Sequence, residues 1–149
     1  MIKTDNLLAA ALSQAIETMA FLDVLPVEDD LPMPENTVLS QIGFTNSKSG
    51  TIQMLAGLDF CKLLAENIGA LDEVNDEDAL DAFKELANVT CGLFLPMIAH
   101  SLTEVFDMTV PTIKIGDESP RWDDFTTKPN SDVWNVEGHL VAVRLIIKD

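Results

Sequence analysis

The chain has 149 residues, of which 47% are hydrophobic and 23% charged, with 25 acidic and 9 basic side chains and a net charge of −16. A chain of this length buries about two thirds of its surface on folding, so one globular domain over residues 1–149 is expected. The acidic excess repels nucleic acid phosphates and anionic lipid headgroups, which excludes nucleic acid and the membrane surface as partners.

The apolar segments and the cysteines predict a cytoplasmic protein. Residues 7–12 look like a short secretory segment, but Asp5 before them, Glu17 after them and the lack of a cleavage site argue against one. No other apolar run approaches the ~20 residues of a membrane span. Cys61 and Cys91 are too few for a disulfide framework and lie in helical patterns, where buried free thiols are usual.

The first half of the chain predicts a helix, a β-hairpin and a second helix. Residues 4–22 have helical spacing, and residues 27–36 form an acidic loop whose two prolines exclude a regular strand. Apolar residues alternate over 38–44 and 52–56, with a Ser/Gly-rich turn between them, which predicts the hairpin. Helical spacing returns over 58–68 and ends at a glycine.

The central helix is predicted to begin near Asp76, with Asn75 as its N-cap, and to run to about residue 106. Pro96 lacks the donor that Gly92 O would accept and costs roughly 3 kcal/mol in a helix interior, so a bend is expected there. At about 100° per residue, one broad apolar face must be buried. Its members are Leu80, Phe83, Leu86, Ala87, Thr90, Leu93, Phe94, Met97 and Ile98, with Cys91 at its margin.

The opposite side of the central helix carries a polar ridge. Asp81, Glu85 and Asn88 follow one another at i, i+4 and i+7, so two carboxylates and a carboxamide share it. Small or compact residues continue the ridge at Gly92, Pro96 and Ala99, which lets another surface approach closely. Taken alone, such a stripe is usually an ordinary solvated helix face.

The remainder of the chain predicts strands. Residues 110–115 read as a strand, and Pro111 near its start places it at a sheet edge. An irregular strand is expected at 122–125, and residues 133–136 and 139–147 form a last hairpin whose final strand is apolar on both faces and therefore central. Helices and strands segregate, so the fold class is α+β, with two long helices and a shorter one packed on an antiparallel-rich sheet.

The ridge and the later proline together resemble the signature of the chemotaxis phosphatases CheC, CheX and FliY. That signature is an Asp or Ser, a Glu, an Asn and a distant Pro at fixed spacings, and Asp81, Glu85, Asn88 and Pro111 fill it here. The element order agrees with the family over nearly the whole chain. With Pro111 in place, the functional interpretation of the ridge outweighs the solvated face.

The resemblance implies a phosphatase that acts on the aspartyl phosphate of a CheY-like receiver. It implies that Asn88 holds the attacking water in line with phosphorus, that Glu85 engages the receiver's active-site lysine, and that Asp81, Gly92 and Pro111 contact the partner. The receiver brings the phosphoaspartate and its Mg²⁺, so no cofactor or metal of the chain's own is expected. An acyl phosphate has a good leaving group, and an amide can position water without supplying a proton.

The first helix repeats part of the motif. Ser13, Glu17 and Ala20 keep the spacing of the ridge, Gly43 falls where Pro111 is expected, and Ala20 replaces the asparagine. A methyl group can neither donate nor accept a hydrogen bond, so this copy is expected to be silent. A single intact copy on the later helix resembles CheX and implies a homodimer.

Two other functions are compatible with the sequence. A non-catalytic module could bind a receiver or another signalling partner through the same ridge without turnover, or a sensor could hold a small ligand between helix and sheet. His100 and His139 are far apart and lack ligand spacing, so a metal site is not expected. The decay of a phosphorylated receiver separates the enzyme from the other two.

Overall fold

The computed structural model of the protein describes residues 4–69, 73–101 and 103–148. Its elements in chain order are α1 (Thr4–Ala20), β1 (Val24–Pro26), β2 (Thr37–Thr45), β3 (Ser49–Gly57), α2 (Leu58–Gly69), α3 (Asp76–Ile98), β4 (Asp107–Met108), β5 (Thr112–Ile115), a 3₁₀ turn (Gly116–Glu118), α4 (Trp122–Thr126), β6 (Ser131–Val136) and β7 (His139–Lys148).

The strands form a single antiparallel sheet in the order β1-β6-β7-β3-β2-β4, and β5 pairs with β2 beside β4. The hairpin predicted from residues 38–44 and 52–56 is present as β2 and β3. Alternation made that prediction possible, because one face of each strand is buried beneath the helices. The α+β class and the packing of helices on an antiparallel sheet are confirmed.

The two faces of the sheet bury separate hydrophobic clusters. The larger cluster joins one face to α1, α2 and α3, and the smaller one joins the other face to α4. β7 contributes alternate residues to both, with Val141 and Val143 in the larger cluster and Leu140 and Ala142 in the smaller one. The prediction of a central last strand covered on both sides is confirmed.

The irregular strand predicted at 122–125 is wrong, because the segment is the short helix α4. Trp122 and Phe125 are both buried and both belong to the smaller cluster. Residues three apart lie on opposite faces of a strand and on the same face of a helix. Only a helical turn therefore buries both aromatic rings against one face of the sheet.

The central helix is shorter than predicted. α3 begins at Asp76 as expected but ends at Ile98, and Ala99 is already extended, with φ −66° and ψ 143°. Pro96 lies in the last turn, close to where the helix stops. Residues 103–106 continue as irregular chain toward β4, which pairs with β2. Proline weakens the helix at the place where the chain must turn back to the sheet.

The buried face of α3 is wider than the predicted stripe. Met97 is 37% exposed although burial was expected, and Cys91, assigned to the margin, is fully buried. The helix packs on α1, α2 and the sheet together, which covers more of its circumference than a single neighbour does. The buried residues of α3 are Ala79, Ala82, Phe83, Leu86, Ala87, Thr90, Cys91, Phe94, Leu95 and Ile98.

The remaining differences concern the strand β1 and the end of α1. The three-residue strand β1 was not predicted, and it pairs with the end of β6. α1 ends at Ala20, two residues earlier than expected.

Within the part of the chain that the structure describes, no helix has the length and apolar character needed to cross a membrane.

Candidate functional site

The N-terminus of α3 is fixed by a reciprocal cap. Asn75 Oδ1 accepts a hydrogen bond from Asp78 N at 2.8 Å, and Asn75 N donates to Asp78 Oδ2 at 3.3 Å. This capping box confirms the predicted N-cap. Acidic residues at positions 76, 77 and 78 fill the first turn, where the helix dipole favours negative charge.

The middle of α3 is tied to the sheet directly beneath the polar ridge. The buried hydroxyl of Ser40 in β2 donates to Phe83 O at 3.0 Å. Phe83 itself is fully buried and meets the ring of Phe60 edge to face. These contacts fix the rotation of α3, so Glu85 and Asn88 face away from the core.

The ridge takes the form that its spacing predicts. Asp81 and Glu85 are exposed, Asn88 is half-buried, and Gly92 and Pro96 are exposed further along the same line. A Cβ placed on Gly92 would meet no atom within 4 Å. The fold therefore does not require a glycine there, and the surface beside Asn88 is open to a partner.

Pro111 belongs to a β-bulge on the outer edge of β2. Met108 pairs with Phe44 and Thr112 with Gln41, so residues 109–111 stand opposite only two residues of β2. A bulge bends an edge strand and re-aims its side chains, and proline is tolerated there because no ladder bond needs its missing N–H. The predicted edge position of Pro111 is confirmed, although regular pairing of β5 begins one residue later.

A pair of hydrogen bonds holds this bulge against the sheet. Thr109 N donates to Gly43 O at 2.9 Å, and Gly43 N donates to Thr109 Oγ1 at 2.8 Å. A Cβ on Gly43 would lie 3.3 Å from Thr109 Cγ2, so the small residue permits the close approach. Gly43 therefore lies within β2, where it anchors the segment that carries Pro111.

The ridge and the bulge face each other across one open groove of about 480 Å³. Asp81, Glu85, Asn88 and Pro111, separated by up to 30 positions in the sequence, all line it. Gly92 lines an adjoining groove of about 330 Å³, which meets the first at Met108. The groove is completed by Lys84, Met108, Thr109 and Val110.

The polar side chains that α3 places in the groove have no partners among the described residues. Within residues 4–69, 73–101 and 103–148, the side chains of Asp81, Glu85 and Asn88 make no hydrogen bond or ion pair. The Asn88 carboxamide can therefore both accept from and donate to a bound molecule. Such an arrangement suits the recognition of a polar surface and the orientation of a water molecule.

Comparison with known proteins identifies the family of the chain. The family profile described as chemotaxis phosphatase CheX matches residues 38–121, more than half of the chain. The chain belongs to the CheX family. No curated relative gives a significant match to the sequence.

Solved structures share the CheX fold over nearly the whole chain. A putative chemotaxis protein from Desulfovibrio vulgaris Hildenborough is 19% identical, with 99% of this chain and 97% of that chain covered and a TM-score of 0.74. CheX from Desulfovibrio desulfuricans is 16% identical, with 99% and 100% covered and a TM-score of 0.75. The CheX–CheY–BeF₃–Mg²⁺ complex from Borrelia burgdorferi matches at 19% identity, 100% of both chains and a TM-score of 0.65.

The segment that follows α3 in this CheX-family chain is pinned beside the second groove. Glu104 Oε2 accepts from His100 N at 2.6 Å, Glu104 Oε1 accepts from Ser47 Oγ, and Asn46 Nδ2 donates to Val105 O. The Ser47 hydrogen bond, followed by that from His100, lowers the pKa of the Glu104 carboxyl below its usual range. The β2–β3 turn thus holds residues 104 and 105 in place.

Sequence reasoning missed two polar residues of the groove, Lys84 and Thr109. Lys84 directly precedes Glu85 and is not part of the motif. Its i, i+4 spacing to Asn88 nevertheless indicates that the two side chains are neighbours on the helix surface. Thr109 carries no motif, and its role depends on the bulge and on Gly43. That contact spans 66 positions in the chain, which no local pattern reveals.

The two thiols take no part in the groove. Cys61 and Cys91 are free and buried, as predicted. Burial raises the pKa of the Cys91 thiol to about 12 and raises that of Cys61 further, because a thiolate loses its hydration in the core. Both thiols therefore stay protonated and unreactive at neutral pH.

Proposed function

We propose that this protein is a phosphatase that hydrolyses the aspartyl phosphate of a CheY-like receiver docked in the groove. The observation that carries the proposal is the convergence of Asp81, Glu85, Asn88 and Pro111 on one groove. Family membership supports it, since the family is described as a chemotaxis phosphatase. The Borrelia CheX with the same fold was crystallised with CheY, BeF₃ and Mg²⁺.

In this proposal, Asn88 positions the nucleophile. Its side chain is half-buried and has no hydrogen-bonding partner in the described part of the chain, so Oδ1 can accept a hydrogen bond from a water held in line with phosphorus. The water oxygen bonds to phosphorus and the bond from phosphorus to the aspartyl oxygen breaks. The water's two protons leave with the inorganic phosphate as H₂PO₄⁻, and the aspartate remains as a free carboxylate. The leaving group needs no protonation, so positioning supplies most of the rate.

Glu85 docks the receiver. It is exposed one turn from Asp81 and three residues before Asn88, so a cation on the receiver can pair with it while Asn88 reaches the phosphoryl group. A carboxylate aimed at the phosphoryl oxygens would repel them. Asp81, Gly92 and Pro111 form the surrounding contact surface, with Gly92 allowing the closest approach.

The metal in the reaction belongs to the receiver. We propose that Mg²⁺ arrives bound beside the phosphoaspartate and that this chain supplies no metal ligand and no cofactor. The expected dependence on Mg²⁺ follows the receiver's own affinity for the ion. Magnesium binding to the phosphatase alone, measured by calorimetry, would contradict this assignment.

We also propose a homodimer. The sheet ends in short edge strands, β1 on one side and β4 with β5 on the other, and exposed apolar residues accompany them, including Leu25 at 52% and Ile115 at 51%. Unpaired edges favour association with a second chain. Light scattering at micromolar concentration is expected to give twice the 16.3 kDa monomer mass. A monomer mass at that concentration would refute the dimer.

The proposed activity is tested by following the phosphoryl group itself. A CheY receiver is phosphorylated with a small-molecule phosphodonor, the donor is removed, and decay is measured with and without the protein. Acceleration with sub-stoichiometric protein supports the proposal. Binding without acceleration would instead indicate a non-catalytic receiver-binding module.

A further inference from the structure

We propose that Lys84 binds the phosphoryl group of the docked receiver. This inference rests on the proposed function and adds a third polar residue to Glu85 and Asn88. Lys84 lines the same groove as both of them and faces the bulge that carries Pro111 across it. The resemblance to the signature assigned no role to this position.

Helix geometry places Lys84 and Glu85 on opposite sides of Asn88. At about 100° per residue, Lys84 and Asn88 are about 40° apart around the helix, and Glu85 lies about 60° beyond Asn88. Asn88 is thus flanked by a carboxylate on one side and an ammonium on the other. If Glu85 meets a cation of the receiver and Asn88 meets the reacting centre, Lys84 reaches the anionic oxygens beyond it.

The Lys84 ammonium is available for such a contact. Lys84 as a residue is half-buried, and among the described residues its side chain makes no hydrogen bond or ion pair. Asp81 and Glu85 are its sequence neighbours, yet the ion pair found in the described part of the chain joins Lys62 to Asp76 at 3.4 Å instead. A cation beside two carboxylates that pairs with neither remains free for an incoming anion.

The negative charge around the groove explains why a phosphoryl group would need a cation there. The whole chain carries a net charge of −16, and Asp81 and Glu85 bring two negative charges into the groove. A phosphoryl group carries about two more at neutral pH, so its approach is opposed by long-range repulsion. Lys84 is the basic residue among those that line the groove, and it supplies the local attraction.

The test compares Lys84→Met with Lys128→Met. Lys128 is an exposed lysine in the loop after α4, outside the groove, so its replacement makes the same change in net charge. We expect Lys84→Met to lower kcat/KM for phosphorylated CheY about tenfold or more, mostly through KM, because the contact exists before and during the reaction. Lys128→Met is expected to stay within twofold of the unchanged protein.

A binding measurement identifies the group that Lys84 contacts. Affinity for beryllofluoride-loaded CheY is expected to fall about tenfold in Lys84→Met, while affinity for unmodified CheY changes less than twofold. Equal weakening with both forms would overturn the proposal, because it would place Lys84 against the receiver's own carboxylates. Lys84→Arg is expected to restore most of the affinity.

The outcomes for Lys84 and for the proposed function are separable. If the unchanged protein does not accelerate phosphoryl decay, the phosphatase proposal fails, while binding of beryllofluoride-loaded CheY still tests Lys84. If the unchanged protein is active and Lys84→Met matches Lys128→Met, only the Lys84 proposal fails. Lys84→Gln gives a second neutral side chain, and circular dichroism of each variant verifies the fold.

Discussion

α1 and α3 carry the same motif spacing but present it to different surroundings. On α3 the third position is Asn88, half-buried with ten more helical residues after it, and on α1 it is Ala20, fully buried in the last position of the helix. Asn67 of α2 donates to Ala20 O at 2.9 Å, so a neighbouring helix covers that end. In the proposed docking mode the helix continues beyond Asn88, and α1 stops too early to offer such a surface.

The way in which α1 ends explains why it lacks the open surface that α3 has. Phe21 adopts a left-handed conformation with φ 58°, and its N–H donates to Glu17 O at 3.0 Å, which closes the helix in an αL cap. The chain then enters β1. The position corresponding to Gly92 is Val24, the first residue of that strand, so the open surface of α3 has no counterpart here.

The largest effect is expected when α3 receives the alanine that α1 has at the third motif position. Asn88→Ala is expected to lower the rate of receiver dephosphorylation by about a hundredfold or more, because the water loses its positioning group. The fold is expected to survive, since the Asn88 side chain makes no hydrogen bond in the described structure. The rate of phosphoryl decay at saturating receiver is the measurement, and an active, folded Asn88→Ala protein would refute the role of Asn88.

The second prediction sets the two glutamates against each other. Glu85→Ala is expected to weaken receiver affinity and to lower kcat/KM about tenfold, whereas Glu17→Ala, also exposed, is expected to stay within twofold. The pair is matched in residue type, motif position and charge change. Equal losses in both variants would give α1 a functional part and end the single-site interpretation.

The third prediction asks whether restoring the missing asparagine restores a site. In an Asn88→Ala background, Ala20→Asn is expected to add no phosphatase activity and to lower the free energy of unfolding by about 1–3 kcal/mol, because a carboxamide is buried there. Urea unfolding and phosphoryl decay measure the two effects. Recovered activity would show that chemistry alone silenced α1 and that its surroundings do not matter.

The sequence predicted those parts of the molecule that depend on local periodicity. The polar ridge, the N-cap Asn75 and the hairpin of β2 and β3 follow from spacing of three to seven residues or from alternation. The ridge stood out because three polar residues fell on one line of a helix. The pairing of Pro111 with that ridge came from family resemblance, and the groove confirms that the two lie together.

The rest depended on contacts between distant segments. α4 forms because Trp122 and Phe125 share one face of the sheet, and α3 ends early because β4 must reach β2. The hydrogen bonds between Gly43 and Thr109 and the burial of Ala20 likewise depend on residues distant in the sequence. The silence of α1 stays a prediction: the sequence favours it because Ala20 lacks a carboxamide, and the burial of Ala20 agrees with it.

The bulge at residues 109–111 makes the wall of the groove separable from the pairing of the rest of the sheet. Three residues there stand opposite two of β2, so loss of one residue would bring β4 and β5 into a single continuous ladder without disturbing the pairs on either side. The wall of the groove thus contains one residue more than the ladder of the sheet requires. The same deletion would shorten the spacing from Asn88 to Pro111, so the bulge sets where the proline stands relative to the ridge.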